Sequence, residues 1–287
     1  MQIRFYRWYG GKYRVTDIIN ALIPTYITAW YEACCGSAAV TLNKPRHPVE
    51  VVNDLDKEIV NLFTLMADRH DGAILLERLL NIQHSRDTFL RAQRAQRNHY
   101  RGLDKFDMAE ISFVLITQSF NACRCSYANK VSQSDYQYLL RKNLPLVYER
   151  LDGVGVRSMN AVDLIDKVRD NPKAFVLLDV PYLPDLRSQN SLKVYGYEMS
   201  RPEHIQMLQR IRDANCCIML CGYRRSNGND LYDKLLLPYG WKHYKLADLA
   251  KTCQIKQNKD VAEEWVWLNY EPPEYAKYYI NMDSVNW

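Results

Sequence analysis

One short segment restricts the fold more than any other part of the sequence. Residues 174–178 read Ala-Phe-Val-Leu-Leu, a continuous apolar run that ends at Asp179. Strands that are buried on both faces have such runs, and they occur mainly in parallel sheets covered by helices. A second apolar run at 216–220 follows a stretch with helical spacing at 203–214. We therefore predict an α/β fold with a parallel central sheet.

The N-terminal part has the element order of a nucleotide-binding βαβ unit. Residues 26–31 are predicted as a buried strand, a turn of small residues follows at 32–40, and a helix then leads to a strand at 49–52. Gly36 lets the backbone approach a ligand closely. Asp54, after the second strand, is placed to bind ribose hydroxyls. The turn lacks the three-glycine spacing of a dinucleotide fingerprint, which argues against a dehydrogenase.

The residues from about 57 to 145 have a different character, and we interpret them as a module inserted into an α/β domain made of 1–56 and 146–287. Their pattern is mostly helical, and a polar segment lies at 119–134. The stretch 86–105 is rich in basic residues, namely Arg86, Arg91, Arg94, Arg97, Arg101 and Lys105. If it forms one helix, three of the arginines (91, 94 and 101) share a face and Arg97 lies at its edge. A solvated helix face without a ligand is the alternative.

The tetrapeptide Asp179-Val180-Pro181-Tyr182 combines groups that can hold an aromatic amine. A parallel strand delivers the residues at its carboxyl end into the ligand crevice. Asp179 and a backbone carbonyl accept the amine hydrogens, Pro181 stiffens the loop, and Tyr182 offers an aromatic face. Attack of such an amine on a methyl sulfonium depends on alignment more than on acid–base catalysis. A strand followed by a Pro-Tyr turn of no function is the alternative.

A further group of residues lies near the N-terminus, where the chain reads Trp8-Tyr9-Gly10-Gly11-Lys12. A simple turn explains the two glycines. Alternatively, Lys12 faces a carboxylate at the amino-acid end of a cofactor, and Trp8 packs near it.

In their order, these motifs resemble the alpha group of the Dam-like DNA adenine methyltransferases. They are, along the chain, Trp8-x-Gly-Gly-Lys12, Glu32-x-x-x-Gly36-Ser37, Asn53-Asp54 and Asp179-x-Pro-Tyr182. Residues 160–163, Asn-Ala-Val-Asp, resemble the family's acidic strand end, residues 264–270 its closing strand, and residues 120–124 its DNA-contacting hairpin. The resemblance covers about two thirds of the chain.

The resemblance implies a Rossmann-like S-adenosylmethionine-dependent methyltransferase with an inserted, mostly helical DNA-recognition module. Such an enzyme methylates the N6 amine of an adenine that is flipped out of double-stranded DNA. The resemblance implies that S-adenosylmethionine is contacted by Lys12, Glu32, Gly36, Asp54 and Asp163, and that Trp8 packs near it. Asp179 is implied to contact both the cofactor and the target base. Asp179, the Val180 carbonyl, Pro181 and Tyr182 are implied to handle the target adenine, and no metal is expected.

For DNA, we assign phosphate contacts to Arg91, Arg94, Arg97 and Arg101. We assign base reading to Arg124, Tyr127, Asn129 and Lys130, because arginine suits guanine and asparagine suits adenine in the major groove. The recognition sequence does not follow from these residues.

Four positions depart from the family pattern. The family usually has proline at 180, proline and then an aromatic residue at 33 and 34, and glycine at 38, where this chain has Val180, Ala33, Cys34 and Ala38. Val180 keeps the carbonyl but lacks proline's fixed φ. Ala38 costs about 1 kcal/mol or more if its φ is positive. These changes leave a degenerate DNA-binding protein or regulatory subunit as an alternative. An enzyme acting on RNA or protein glutamine is disfavoured by the insertion.

The composition sets the remaining expectations. The net charge of +5 is compatible with nucleic-acid binding. The eight cysteines form no paired CxxC motifs, which argues against zinc, and we expect reduced thiols packed as small apolar residues. No signal peptide or membrane span is predicted, so we expect a cytoplasmic protein of a bacterium or a phage-infected cell. The sequence leaves open a partner restriction endonuclease, the oligomeric state and a cytosine amine as target.

Overall fold

The computed structural model describes residues 2–129, 131–187, 196–225, 230–250 and 261–280, which fall into two compact units. The helical unit consists of residues 1–13, 36–43 and 56–158, and the sheet unit consists of residues 14–35, 44–55 and 159–287. The division of the chain into a catalytic domain and a recognition module at 57–145 stays a prediction. One helix, Gln133–Leu151, runs across the proposed boundary at residue 145.

The strands and helices alternate along most of the sheet unit. Its strands are β1 Ala29–Glu32, β2 Val49–Asn53, β4 Ala174–Leu178, β5 Cys217–Gly222, β6 Lys242–Ala250 and β7 Val261–Leu268, whereas β3 Gly155–Arg157 belongs to the helical unit. Its helices are α1 Thr16–Ala21, α8 Ala161–Val168, α9 Arg201–Ile211 and α10 Leu231–Leu236. The strands of this unit are ordered β2-β1-β4-β5-β7-β6.

The sheet is parallel from β2 to β5. In the registered pairs, Glu32 of β1 lies opposite Leu177 of β4, and Leu178 lies opposite Leu220 of β5. Strand β7 then runs antiparallel between β5 and β6. The predicted α/β class with a Rossmann-like, mostly parallel sheet is confirmed. The four parallel strands end at the same edge of the sheet, which is where ligands bind in such folds.

Burial explains why β4 lies in the centre. All five of its residues are buried, so both faces of the strand are covered, as the continuous apolar run predicts. The indole of Trp30 stacks on the ring of Phe175 at 5.1 Å on one side of the sheet. On the other side, Val176 and Leu178 join a core with Leu208 of α9 and Trp267 of β7. This packing fixes the position of Asp179 at the strand's end.

The helical unit contains α2 Ala39–Asn43, α3 Lys57–Ala67, α4 Arg69–Leu80, α5 Arg86–Arg97, α6 Lys105–Thr117 and α7 Gln133–Leu151. Side-chain caps explain several helix starts, for Asp56, Asp68, Ser85 and Asp104 each accept hydrogen bonds from the first turn of the following helix. No helix among the described residues is long and apolar enough to span a membrane.

The stretch 86–105 does not form one helix, so the condition under which its arginines would share a face is not met. Helix α5 ends at Arg97, and the next two residues after Asn98, His99 and Tyr100, have positive φ values of 52° and 55°. Left-handed residues cannot continue a right-handed helix. Arg101 therefore lies outside α5 and does not share a helix face with Arg91 and Arg94.

Candidate functional site

Three predicted ligand carboxylates lie at the carboxyl edge of the parallel strands. Glu32 is the last residue of β1, Asp54 follows β2, and Asp179 follows β4. Because these strands are neighbours, their ends bring the three side chains to one corner of the sheet unit. Glu32 is only 4% exposed, whereas Asp54 and Asp179 are half-buried. The corner is therefore acidic and partly shielded from water.

The negative charge of these three carboxylates affects the pKa of the neighbouring Cys34 thiol. Burial raises the pKa of Cys34 well above its ordinary value, and the negative charges of Asp54, Asp179 and Glu32 raise it further. The pKa of Cys35 is raised by burial, Asp54 and Glu32, and its Sγ lies 3.9 Å from an Asp54 oxygen. Both thiols stay protonated at neutral pH. Their surroundings favour a bound cation over a further anion.

Asn53, to which the sequence analysis gave no role, holds this corner together. Its side-chain amide donates to the carbonyl oxygens of Ala33 at 2.7 Å and Met159 at 2.9 Å. Its Oδ1 accepts from the Met159 amide at 3.0 Å. In the sequence, Asn53 appeared only as the first residue of the Asn53-Asp54 motif after a predicted strand. The bonds tie the turn after β1 to the chain that leads into α8.

The motif comparison placed Asp163 at the end of a strand, but the structure does not. Asp163 lies in the first turn of α8, where its side chain is exposed. The Asn160 side chain caps this helix by accepting from the Val162 amide at 2.9 Å. Capping by Asn160 is the physical reason that a helix, and not a strand, carries the acidic residue. Its role as a cofactor ligand stays a prediction.

The tetrapeptide after β4 is held by buried and hydrogen-bonded side chains. The Val180 side chain is 4% exposed and packs in the core with Leu183. The Tyr182 hydroxyl donates to the carboxylate of Glu264 on β7. The rings of Tyr182 and Tyr223 meet edge-on, with centroids 4.7 Å apart. Sequence reasoning treated Glu264 only as part of the closing strand, because no local pattern pairs it with a residue 82 positions away.

The Tyr182 phenol stays protonated. Burial raises its pKa well above the ordinary value, and the carboxylates of Asp179 and Glu264 add to the effect. A protonated hydroxyl can keep donating to Glu264, so the orientation of the ring is fixed. An aromatic face therefore lies in the same loop as the Asp179 carboxylate.

His204 is a second buried group next to this loop. It is fully buried on α9, and its Nδ1 lies 2.9 Å from the Tyr232 hydroxyl. Burial lowers the pKa of His204 to about 4, although the backbone of Pro181 and the charges of Glu203 and Asp185 favour the protonated form. His204 is therefore neutral at pH 7.

We expect His204 to make the folded state sensitive to acid. Its folded pKa of about 4 lies below the ordinary 6.5, so stability is full above pH 6.5 and is lost as the pH falls toward 4. The shift corresponds to about 3 kcal/mol at most. Urea unfolding at pH 7 and pH 4 should show a larger loss for the wild type than for His204→Gln. Equal losses in the two proteins would contradict this role.

Three of the predicted cofactor residues, Trp8, Lys12 and Gly36, lie in the helical unit. Gly36 has a φ of +49°, and a Cβ there would lie 2.5 Å from Cδ1 and Nε1 of Trp8. The Tyr6 hydroxyl donates to the Gly36 carbonyl at 2.8 Å. Lys12 is buried, and its Nζ donates to the Gly10 carbonyl at 3.2 Å. Glycine at 36 is thus required for both its backbone conformation and its contact with Trp8.

Ala38 meets the condition that makes its methyl group costly. Its φ is +49° and its side chain is fully buried. Left-handed backbone costs a residue with a Cβ about 1–2 kcal/mol. The departure from glycine at this position therefore stores strain in the turn.

Gly36→Ala should destabilise the protein strongly. Gly153→Ala is a matched control, because Gly153 lies in the same unit with a φ of +79° and nothing within 4 Å of the added Cβ. The control should cost about 1–2 kcal/mol for the backbone alone. Gly36→Ala should cost about 1–3 kcal/mol more, because its methyl overlaps Trp8. Urea unfolding monitored by circular dichroism measures both.

The additional loss of stability in Gly36→Ala, relative to Gly153→Ala, should be smaller when Gly36→Ala is combined with Trp8→Ala, because that substitution removes the overlapping ring. If the double variant still showed this additional loss of stability, the contact with Trp8 would not be the cause of the loss.

Arg124 is held by acidic residues at the start of α3. Its Nη1 lies 2.8 Å from Glu58, its Nη2 lies 2.8 Å from Asp56, and its guanidinium lies over the Trp8 ring at 5.2 Å. Burial lowers its pKa, but the charges of Asp56 and Glu58 outweigh this and raise it above the ordinary value. Sequence spacing contained no sign of these partners. The assignment of Arg124 to base reading stays a prediction.

The other predicted DNA contacts lie on the surface of the helical unit. Arg91, Arg94, Arg97, Arg101 and Asn129 are exposed, and Tyr127 is half-buried. Arg91 pairs with Asp87 at 3.2 Å. Lys130 lies outside the described residues. Tyr127 and Asn129 line a cavity of about 720 Å³, together with Arg86 of the basic stretch, which was not assigned to DNA contacts. These contacts stay predictions.

Comparison of the sequence with known proteins identifies a family of enzymes. The sequence pattern of the family of D12 class N6 adenine-specific DNA methyltransferases matches residues 8–237. A stretch of 70 residues is 34% identical to the DNA adenine methylase of Haemophilus influenzae, and it covers 24% of each chain. The alignment thus spans about a quarter of that relative's length. Among the described residues, no group of His, Cys, Asp or Glu is arranged as a metal site.

Proposed function

We propose, because the chain belongs to the family of D12 class N6 adenine-specific DNA methyltransferases, that it transfers a methyl group from S-adenosylmethionine to the N6 amine of adenine in double-stranded DNA. The observation that carries the proposal is the position of Asp179. This carboxylate follows the central strand β4, in the loop that also presents the Tyr182 ring.

The residues of the sheet corner suit the methyl donor. S-adenosylmethionine has a positive sulfonium, a positive amino group and ribose hydroxyls, and carboxylates are suitable partners for all three. Glu32 and Asp54 would hold it in the sheet unit, and their negative charge is evident in the raised pKa of Cys34. When bound, it supplies an activated methyl group. The roles of Trp8, Lys12, Gly36 and Asp163 in cofactor binding stay predictions from the sequence.

The loop after β4 can orient an aromatic amine. The Asp179 carboxylate accepts one hydrogen of the amine and the Val180 carbonyl accepts the other, which turns the nitrogen lone pair toward the methyl group. The base stacks on Tyr182, whose hydroxyl is fixed by Glu264. Burial of the Val180 side chain restrains the loop where the family usually has proline.

An adenine must leave the duplex to reach this loop. Flipping a base out of the stack costs a few kcal/mol, and stacking on an aromatic side chain returns about 1–3 kcal/mol. The exposed arginines of α5 offer positive charge for the DNA backbone, which supplies affinity without sequence information.

One observation favours a second candidate function, a DNA-binding protein without catalysis. The buried Ala38 methyl at positive φ strains a turn in which the family favours glycine. Such strain is compatible with a site that no longer needs to turn over substrate.

A methyl-transfer assay separates the two functions. The purified protein is incubated with duplex DNA of mixed sequence and S-adenosylmethionine that carries a labelled methyl group, and the DNA is digested to nucleosides. We expect the label in N6-methyl-2′-deoxyadenosine. Label in methylcytosine would overturn the adenine assignment. Absence of transfer, with cofactor and DNA binding demonstrated by calorimetry, would overturn the enzymatic proposal and support the binding protein.

A further inference from the structure

Two cysteines of the helical unit lie in contact on its surface. The Sγ atoms of Cys123 and Cys125 are 3.0 Å apart, and the Cys123 sulfur lies 3.5 Å from the Ser126 hydroxyl. Cys125 is exposed and Cys123 is half-buried. The expectation that the cysteines are packed as small apolar residues is therefore wrong for Cys125. Neither thiol has a role in the proposed methyl transfer.

The backbone between the thiols brings them together. In an extended strand, side chains two residues apart lie on the same face but about 7 Å from each other. Here Arg124, between the two cysteines, has a φ of +58°, and Asn121 and Ala122 also have positive φ values. These left-handed residues fold the chain back at this point and shorten the separation of the thiols.

Hydrogen bonds hold this turn in place. The Phe120 amide donates to the Ser126 carbonyl at 2.9 Å, and the Arg124 amide donates to the Ser119 hydroxyl at 3.0 Å. The Arg124 guanidinium is bound by Asp56 and Glu58 on α3. The backbone that brings the two cysteines together is therefore held by contacts within the folded unit.

The surroundings of Cys123 favour its reactive form. Partial burial opposes ionisation, but hydrogen bonds from the side chains and backbone amides of Cys125 and Ser126 lower the pKa of Cys123 below its ordinary value. The thiolate is the nucleophile in thiol–disulfide exchange. Cys125 lines the cavity of about 720 Å³ beside α5, so a small molecule can reach the pair from that side.

We propose that Cys123 and Cys125 are a redox-active dithiol that forms a reversible intramolecular disulfide by exchange with low-molecular-weight disulfides. The Cys123 thiolate attacks one sulfur of the small disulfide, whose S–S bond breaks and releases one small thiolate. The Cys125 thiol loses its proton and attacks the Cys123 sulfur, which releases the second small thiolate. The protein dithiol loses two electrons and two protons, and the small disulfide becomes two thiols.

The position of Arg124 allows a direct test. Trypsin cleaves after Lys105, Arg124 and Lys130, so Cys123 and Cys125 fall into separate peptides, 106–124 and 125–130. The full-length protein is equilibrated with glutathione disulfide, quenched in acid, alkylated with N-ethylmaleimide and run on a non-reducing gel. The monomer band is digested without reductant. We expect the two peptides to be joined, with loss of most of the alkylated 125–130 peptide, and dithiothreitol should separate them again.

Two comparisons decide whether the disulfide is specific. In Cys125→Ser the joined species should be absent, and Cys123 should retain glutathione as a mixed disulfide. In the wild type, Cys216 and Cys217, which are buried neighbours on the sheet unit, should remain thiols under the same conditions. Three outcomes would overturn the proposal. Both cysteines could be found alkylated, each could carry a stable glutathione adduct, or the joined peptides could come only from a dimer band.

Discussion

Asp179→Ala is expected to abolish most methyl transfer while DNA binding is retained. The substitution removes the carboxylate that we propose to accept an amine hydrogen at the end of β4, and Asp179 is not among the residues that we assign to DNA phosphates. Loss of one orienting group in an active site commonly reduces kcat by about 10²–10³-fold. The rate of label transfer at saturating DNA measures the effect, and a gel-shift titration measures binding.

Asp185→Ala is the matched control for Asp179→Ala. Asp185 lies six residues further along the same loop, but its exposed carboxylate pairs with Arg201 and Arg225. Removing it should leave the transfer rate within a few-fold of the wild type. Near-normal turnover by Asp179→Ala, or an equal loss in the control, would show that the catalytic assignment is wrong.

The central strand could be predicted because its cause is local. Five consecutive apolar residues at 174–178 can be accommodated only where both faces of a strand are covered, and Asp179 then necessarily falls at the strand's end. Asp54 likewise follows β2, a strand of mixed apolar and polar residues. Carboxylates that follow neighbouring parallel strands meet at one edge regardless of the loops between them.

The end of α5 could not be predicted, because its cause is distant in the chain. The basic residues continue past Arg97, and no glycine or proline stops the pattern before Gly102. The turn at Tyr100 is held by its hydroxyl, which donates to the Glu58 carboxylate 42 residues earlier. The side chain of Gln96 donates to the same carboxylate at 2.8 Å. Helical periodicity contains no information about such a contact.

The partners of the predicted site residues were missed for the same reason. Glu264 fixes Tyr182 from a strand added at the far end of the chain, and Asp56 and Glu58 bind Arg124 from 66 or more residues away. Spacing predicted which side chains lie at the edge of the sheet, since these follow strand ends. It did not identify the side chains that orient them, since those come from other elements.

Tyr182→Ala should weaken the capture of the target adenine more than it slows the transfer step. In our proposal the ring offers the stacking surface that offsets the cost of removing the base from the duplex, so its loss should cost about 1–3 kcal/mol. At the upper end this corresponds to more than a hundredfold increase in KM for DNA. A duplex with a mismatch opposite the target adenine should recover part of the loss, because an unpaired base costs less to flip.

Tyr182→Phe separates the ring from its hydroxyl. It keeps the stacking face but removes the hydrogen bond to Glu264, a carboxylate that is only 4% exposed. We therefore expect KM close to that of the wild type, together with a lower unfolding free energy, because a buried acceptor loses its donor at a cost of about 1–3 kcal/mol. If Tyr182→Phe raised KM as much as Tyr182→Ala, the hydroxyl and not the ring would be the group that captures the base. If neither variant changed KM, the adenine would have to stack elsewhere, and Tyr223, whose ring meets that of Tyr182, would be the next residue to replace.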